Sequence, residues 1–290
     1  MELPLVVGVD GSESALRAVD WAADEAALRR VPLRLVHASL WEHYEGVAPV
    51  TGSGRPGERA RAETVVEDAL ERARTRRPEV KAQGEVVPEE PEYVLLREGR
   101  EATAVVVGSR GRGDLAEALL GSVSLTVAAR AHCPVIVLRG GHDGRAASGA
   151  GRRVLVGVGE GARGAAAVRF AAEEARLRGV PLEAVRAWQY PLREGTEHPL
   201  LAGNPARPYQ ERAAQVLEEA LRDVPEDVEV RRRTVEGPAR RVLAAASDGA
   251  DLLVVGARRR PGHHGLQLGR VAHAVLHRSA CPVAVVPHPG

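Results

Sequence analysis

Aromatic side chains are scarce in this sequence of 290 residues, at 3% of the total, and Phe occurs once. A core with so few aromatics must be filled mainly by Val, Leu and Ala, a composition typical of buried parallel strands covered by Ala-rich helices. Hydrophobic residues make up 44% and charged residues 27%, which is ordinary for a globular chain and excludes wholesale disorder.

Long hydrophobic runs and an excess of one charge are also missing. No run of ~18 apolar residues occurs, and the first residues lack the basic segment, long apolar stretch and cleavage site of a signal peptide. We therefore expect a cytoplasmic protein without a membrane partner. The 40 basic and 39 acidic residues give a formal net charge of +1, so the overall electrostatics predict no nucleic-acid partner.

The two cysteines, Cys133 and Cys281, each precede a Pro at the start of an apolar run. This context is typical of a small buried hydrophobic residue rather than half of a disulfide. Neither cysteine has the spacing of a metal ligand, so we predict no disulfide and no cysteine metal site.

The sequence is internally duplicated. Residues 6–9 (VVGV) recur at 155–158 (LVGV), an offset of 149, and residues 133–135 (CPV) recur at 281–283, an offset of 148. Residues 139–152 between the copies are rich in Gly, Ala and Ser, as in a flexible linker. The duplication predicts a first domain at residues 1–140, a linker at 141–151 and a second domain at 152–290.

Within the first repeat, short apolar runs alternate with helical patterns. The predicted strands cover 3–9, 33–38, 82–87, 103–108 and 134–138, and the predicted helices cover 14–30, 59–77, 91–100 and 119–130. This alternation predicts an α/β fold in which each repeat is a five-stranded parallel sheet with helices on both faces. Ligands of such sheets bind beyond the carboxyl ends of the strands.

A glycine-rich segment follows the fourth predicted strand. Its residues Gly108, Gly111, Gly121 and Ser122 have the spacing G-x2-G-x9-G-S. Glycines let the backbone approach a ligand, and the amides at a helix start attract phosphate. A plain connection from strand to helix explains the glycines equally well when they are considered alone.

The glycine spacing occurs together with Asp10-Gly11-Ser12 after the first strand and with duplication of the whole frame. In these features the sequence resembles the universal stress protein family, specifically its ATP-binding branch, across nearly all of both repeats. The resemblance implies two tandem Rossmann-like domains of the adenine nucleotide alpha hydrolase-like kind. It also implies a regulatory or protective role in the stress response, with ATP and Mg²⁺ as the ligands.

The same resemblance assigns the residues of an ATP site in the first repeat. Asp10 is expected near the adenosine, Ala38 beside the base, and Val107 and Gly108 against the ribose and first phosphate. The residues expected around the triphosphate are Gly111, Gly121, Ser122 and Val123.

Two further considerations concern side chains near this site. Arg110 and Arg112 are expected, from charge and position alone, to reach the outer phosphate oxygens. Helix capping is the alternative role for Asp10, although Ser12 can also cap the first helix.

The second repeat departs from this pattern. Gly159 aligns with Asp10, Arg259 with Gly111 and Arg270 with Ser122. We therefore predict that the second repeat does not hold ATP in the same pose, although its Arg and His residues leave another anion open. The adjacent His263 and His264 make a poor metal pair, because neighbouring side chains diverge on a regular element.

Catalytic motifs are missing from the sequence. It contains no G-x4-G-K-[ST], H-E-x-x-H or G-x-S-x-G, and the acids near the glycine motif, Asp10 and Asp114, have no evident general-base partner. We predict ATP binding with slow or no hydrolysis and no catalytic residue. The alternatives are a slow ATPase or phosphotransferase that uses Arg110 and Arg112, and a nucleotide-free interaction scaffold.

The last strand of each repeat is apolar, at residues 133–138 and 281–286. An exposed apolar edge strand requires a partner. The family resemblance implies that such strands pair across domain interfaces, so we expect an internal pseudo-dimer of the two repeats. Unknown protein partners and a homodimer of two chains stay open.

Overall fold

The computed structural model describes residues 2–40, 57–109, 120–139, 152–161, 164–190, 206–257 and 268–288. The elements of the first repeat are β1 (Leu5–Gly8), α1 (Glu13–Arg29), β2 (Leu33–Ala38), α2 (Glu58–Arg76), β3 (Ala82–Val87), α3 (Pro91–Glu98), β4 (Ala104–Gly108), α4 (Ser122–Arg130) and β5 (Val135–Leu138). Those of the second repeat are β6 (Val154–Gly157), α5 (Ala165–Arg178), β7 (Leu182–Trp188), α6 (Arg207–Ala220), β8 (Val230–Glu236), α7 (Ala239–Ala246), β9 (Leu252–Ala257), α8 (Arg270–Arg278) and β10 (Val283–Pro287).

The ten strands form one sheet in the order β3-β2-β1-β4-β5-β10-β9-β6-β7-β8. Neighbouring strands within a repeat are parallel, which confirms the predicted fold class. The repeats meet where β5 and β10 pair antiparallel, with Ile136 opposite Ala284. The sheet therefore runs without a break through both repeats.

Helices cover both faces of the sheet. Residues of α1, α2, α5 and α6 pack in one hydrophobic layer, and residues of α3, α4, α7 and α8 pack in the other. Because successive side chains of a strand point to opposite faces, β1 contributes Leu5 and Val7 to the first layer and Val6 to the second. This two-sided burial explains why the strands are continuously apolar.

The largest difference from a predicted boundary is at the fourth helix. The fourth helix was expected from residue 119, but α4 begins at Ser122. Gly121 precedes it in an extended conformation, with ψ of 152°, and donates its N–H to the carbonyl of Ser109 at 2.8 Å. The backbone of Gly121 is thus tied to the end of β4 and is not part of the helix.

A buried ring of four charged side chains joins α1 to α5. Its members are Glu25, Arg29, Glu174 and Arg178. Each carboxylate contacts both guanidinium groups, and no member is more than 8% exposed. Burial, followed by the charge of Glu25, raises the pKa of Glu174 to about 7, while the two arginines oppose this rise. The ring must therefore offset a large desolvation cost through its own contacts.

Each arginine of this charged ring also contacts an aromatic side chain, and the two contacts are equivalent in the two repeats. The Arg29 guanidinium lies 5.4 Å from the centre of the Phe170 ring, and that of Arg178 lies 5.7 Å from the Trp21 ring. Trp21 and Phe170 are separated by the repeat offset of 149. Two of the few aromatic residues are thus used at the contact between repeats.

Both cysteines are buried, which confirms the predicted role of each as a small buried hydrophobic residue. Burial raises the pKa of both thiols, of Cys133 and of Cys281, to about 11. Among the described residues, no helix is long and apolar enough to cross a membrane.

Candidate functional site

The predicted ligand residues of the first repeat lie at the carboxyl edge of its sheet. Asp10 follows β1, Ala38 ends β2 and Gly108 ends β4, and β1 lies between the other two strands. Gly121 precedes α4, and Ser122 and Val123 begin it, above the same edge. Arg110, Gly111, Arg112 and Asp114 lie outside the described residues.

Asp10 and Ser12 together organise the start of α1. The Ser12 hydroxyl accepts a hydrogen bond from the Ala15 N–H at 3.2 Å and caps the helix. The Oδ1 atom of Asp10 accepts the Ser12 N–H at 2.9 Å. Gly11 has φ of +78°, a conformation that glycine adopts readily. The capping role considered for Asp10 is therefore filled by Ser12, and the half-buried Asp10 carboxylate is fixed at the sheet edge.

His37 is a residue of this region that sequence analysis did not identify. Its Nδ1 lies 2.7 Å from the carbonyl oxygen of Val9, so Nδ1 carries a proton and donates to it. The side chain is buried, and it holds the backbone directly before Asp10. The available signal was a histidine directly after the buried apolar residues Leu35 and Val36, close to the end of β2.

Gly108 has a packing role that is independent of any ligand. A Cβ atom at this position would lie 2.6 Å from Oγ of Ser14 and 2.8 Å from its backbone carbon and oxygen. Real Cβ atoms do not approach backbone atoms so closely. The glycine therefore allows α1 to pack against the end of β4. The neighbouring Val107 side chain is buried in the core, so its backbone is what remains for a ligand at the edge.

The N-terminus of α4 is held close to β4. Besides the bond from Gly121 to Ser109, the Ser124 hydroxyl donates to the Gly108 carbonyl at 2.6 Å. No side chain caps α4, and Ser122 is exposed. The first amides of a helix have no partner within the helix and carry the positive end of its dipole. This arrangement can bind an anion, and the hydroxyl of Ser122 adds a donor.

The equivalent edge of the second repeat is built differently. Arg186 takes the place of His37 and donates to the Val158 carbonyl at 3.1 Å, the counterpart of the Val9 carbonyl. Its second terminal nitrogen lies 2.9 Å from Oε1 of Glu160. Gly159 contributes no carboxylate at the position of Asp10.

The helix after β6 also starts later. At the offset of 149, Glu13 aligns with position 162, whereas α5 begins at Ala165, and its N-cap residue Gly164 has no side chain that could cap it. Ala272 replaces Ser124, so the bond from α4 to the end of β4 has no counterpart. Arg259, His263 and His264 lie outside the described residues, and Arg270 is the first residue of α8.

Comparison with known proteins identifies the family of this chain. The sequence model of the Universal stress protein family matches residues 3–139 and residues 151–287. The chain belongs to the universal stress protein family. It carries two domains of this family in tandem.

Whole-length relatives share this organisation. A universal stress protein of Mycobacterium tuberculosis is 35% identical over 302 residues, covering 97% of this chain and 96% of the relative. A universal stress protein of Mycolicibacterium smegmatis is 33% identical over 304 residues, covering 98% and 97%. The match thus extends through both repeats and the connection between them.

Solved structures share the fold. A universal stress protein from Archaeoglobus fulgidus superposes with a TM-score of 0.70 at 18% identity, covering 99% of this chain and 98% of that one. A universal stress protein structure from Pseudomonas aeruginosa gives 0.64 at 16% identity, covering 98% and 93%. Both likenesses concern the fold of the tandem arrangement.

Proposed function

We propose that this universal stress protein belongs to the ATP-binding branch and acts as a regulatory or protective module whose first repeat binds ATP. The observation that carries the proposal is the convergence of Asp10, Ala38, Gly108 and the uncapped start of α4 at one edge of the sheet. Family membership and the intact glycine spacing support the same assignment.

Different residues at this edge of the sheet suit the triphosphate and the adenosine of ATP. The first turn of α4 offers amides and the Ser122 hydroxyl to phosphate oxygens. Asp10, fixed by the Ser12 amide, offers a carboxylate oxygen to donors of the adenosine. Ala38, small and half-buried, leaves room for the base beside β2.

Mg²⁺ would accompany the nucleotide. Among the described residues no group of three His, Cys, Asp or Glu side chains could hold a metal ion. Mg²⁺ commonly takes substrate phosphates, waters and only one or two carboxylates, so the nucleotide would supply most of its ligands. With so few acids positioned near the phosphates, little or no hydrolysis is expected.

The second repeat is expected to exclude ATP from this pose. Its ion pair between Arg186 and Glu160 lies at the strand end where the first repeat has Asp10 and Ala38. The predicted effects of Arg259 and Arg270 act in the same direction. The amount of nucleotide bound to the chain would then depend on the first repeat alone.

Calorimetric titration of ATP with Mg²⁺ into the full chain tests the proposal. We expect one site per chain, weakened about tenfold or more in Asp10→Ala, because a hydrogen bond to a charged group contributes about 1.5–3 kcal/mol. Gly159→Ala is the matched control at the equivalent position, where an added Cβ meets nothing within 4 Å, and it should bind as the wild type does.

Three results would contradict this assignment. Absence of binding would remove the ATP site and favour a scaffold without nucleotide. A stoichiometry of two would show that the second repeat also holds ATP. Rapid phosphate release that Asp10→Ala abolishes would replace the binding module by an ATPase.

A further inference from the structure

The outer edges of the sheet differ in charge. Helices α3 and α7 follow the edge strands β3 and β8 in sequence and pack over β2 and β7, respectively, and both have eight residues. At the offset of 148, Glu90, Glu92 and Tyr93 of the first repeat align with Pro238, Arg240 and Arg241 of the second. One edge of the molecule is acidic at this position and the other is basic.

At the acidic edge, α3 carries an exposed aromatic side chain next to acidic residues in the sequence. Tyr93 is 60% exposed, with the Arg97 guanidinium 5.6 Å from its ring centre. Glu90 and Glu92 flank it and make no ion pair with any residue that the structure describes. We call Glu90, Glu92 and Tyr93 the acidic corner.

At the basic edge the surface has a groove at the place where the first repeat has the exposed Tyr93. It lies between β8 and α7, has a volume of about 410 Å³, and its apolar lining includes Val235, Val242, Ala245 and Ala246. The residues aligned with Ala245 and Ala246 are Arg97 and Glu98, so two short side chains line the groove where the first repeat has two long ones. We call it the basic groove.

The charges of the basic groove are unevenly neutralised. Arg153 and Arg233 line it, but both are paired with Glu183. Arg241 lines it and Arg240 precedes Arg241 on α7; both are exposed and form no ion pair within the described part of the chain. Glu236 also lines the groove. The exposed arginines are therefore left to attract an acidic partner.

We propose that the acidic corner of one chain docks in the basic groove of another, so that the protein associates head to tail. Tyr93 supplies the apolar body that the groove accepts, and Glu90 and Glu92 meet Arg240 and Arg241. The two helices pack over β2 and β7, which lie in opposite halves of the ten-stranded sheet, roughly 34 Å apart at about 4.8 Å per strand. They can meet only between chains.

The geometry of this contact determines the type of assembly. It joins two different surfaces, so each chain keeps one free acidic corner and one free basic groove after it has bound a neighbour. Such heterologous contacts extend into chains or close into rings, whereas a two-fold contact stops at a dimer. Association through this contact does not depend on nucleotide binding in the first repeat.

Sedimentation velocity of the full chain over a range of concentrations tests the proposal. We expect the average mass to rise with concentration in about 0.01 M salt and to fall back towards the monomer in about 1 M salt, where the screening length shrinks from about 30 Å to about 3 Å. Tyr93→Ala should weaken association at least about tenfold, since buried tyrosines dominate interfaces. Tyr209→Ala, which removes another exposed tyrosine, is the matched control.

Charge reversal gives the sharpest comparison. The variants Glu90→Arg/Glu92→Arg and Arg240→Glu/Arg241→Glu should each remain monomeric alone, because each presents two surfaces of like charge. Mixing the two variants should restore association, which a folding defect would not do. A wild-type chain that stays monomeric in low salt at every concentration would overturn the proposal, as would association that the variants leave unchanged.

Discussion

The ends of β1 and β6 are equivalent positions in the two repeats, yet they are organised around different side chains. In the first repeat Ser12 caps α1 and holds the Asp10 carboxylate. In the second, Arg186 reaches Glu160 and the following helix starts three residues later. The strands themselves are alike, because their side chains must fill the same two layers. The loops beyond the strands do not have to fill these layers. Their side chains can therefore form a ligand site in one repeat and an ion pair in the other.

The contact between α1 and α5 shows the opposite behaviour. Here each repeat supplies one Glu, one Arg and one aromatic side chain at matching positions. Every carboxylate in the ring touches an arginine of both repeats, so neither partner can change alone without leaving a buried charge unpaired. The repeats are constrained to resemble each other where they touch.

The largest expected effect comes from breaking this ring. Glu174→Ala removes one of two carboxylates that separate two buried arginines, and we expect the free energy of unfolding to fall by about 3–5 kcal/mol. Equilibrium denaturation with urea measures this change.

Two further variants test whether the two carboxylates of the ring contribute equally to stability. Glu25→Ala should cost about as much as Glu174→Ala, since both carboxylates contact both arginines. Arg207→Ala, which removes an exposed i,i+4 pair with Glu211, should cost about 0.5 kcal/mol or less. Equal, small losses for all three variants would show that the ring contributes no more than a surface pair.

An intermediate effect is expected where α1 touches β4. Gly108→Ala places a Cβ against the backbone of Ser14, which a side-chain rotation cannot relieve, so we expect a loss of about 1–3 kcal/mol. The displaced start of α1 should also weaken ATP binding through Asp10.

The second repeat provides the comparison for this variant. Gly159→Ala adds the same methyl group where nothing lies within 4 Å, and thermal unfolding should be nearly unchanged. If Gly108→Ala unfolds like the wild type, the packing explanation for this glycine is wrong and ligand approach remains its reason.

The smallest expected effect concerns the helix cap. Ser12→Ala removes the hydroxyl that accepts the Ala15 N–H, and losses of about 1 kcal/mol are typical for such caps. Ser122→Ala is the control, because its side chain makes no capping bond in α4. A Ser12→Ala variant as stable as this control would mean that the two repeats do not differ in cap energy.

The fold and the duplication were predictable because they depend on patterns that are local in sequence. The apolar runs of β1 and β4 and the helical pattern of α1 recur at offsets of 149 or 148 residues, so their elements could be counted in advance. The start of α4 was less accessible, since the extended Gly121 is fixed by a bond to Ser109 rather than by helix propensity.

The candidate site was predictable in part. Asp10 and Ser12 could be assigned competing roles from their position before a helix, but only the structure shows that Ser12 caps and Asp10 accepts the Ser12 amide. His37 and Arg186 were missed, because their partners are backbone carbonyl groups 28 positions away. Every residue has such a carbonyl, so the sequence does not indicate which one is the partner.

The two-repeat α/β frame, the family resemblance and the loss of the Asp10 equivalent in the second repeat follow from the amino-acid sequence alone. They depend on periodicity, spacing and residue identity, which can all be read along the chain. Three other features become visible only in the folded chain: Gly108 packs on Ser14, four charged residues from two repeats close a ring, and an acidic corner and a basic groove lie in opposite halves of the sheet. Each of these depends on atoms brought together from distant positions, where distance and burial rather than residue order set the energy.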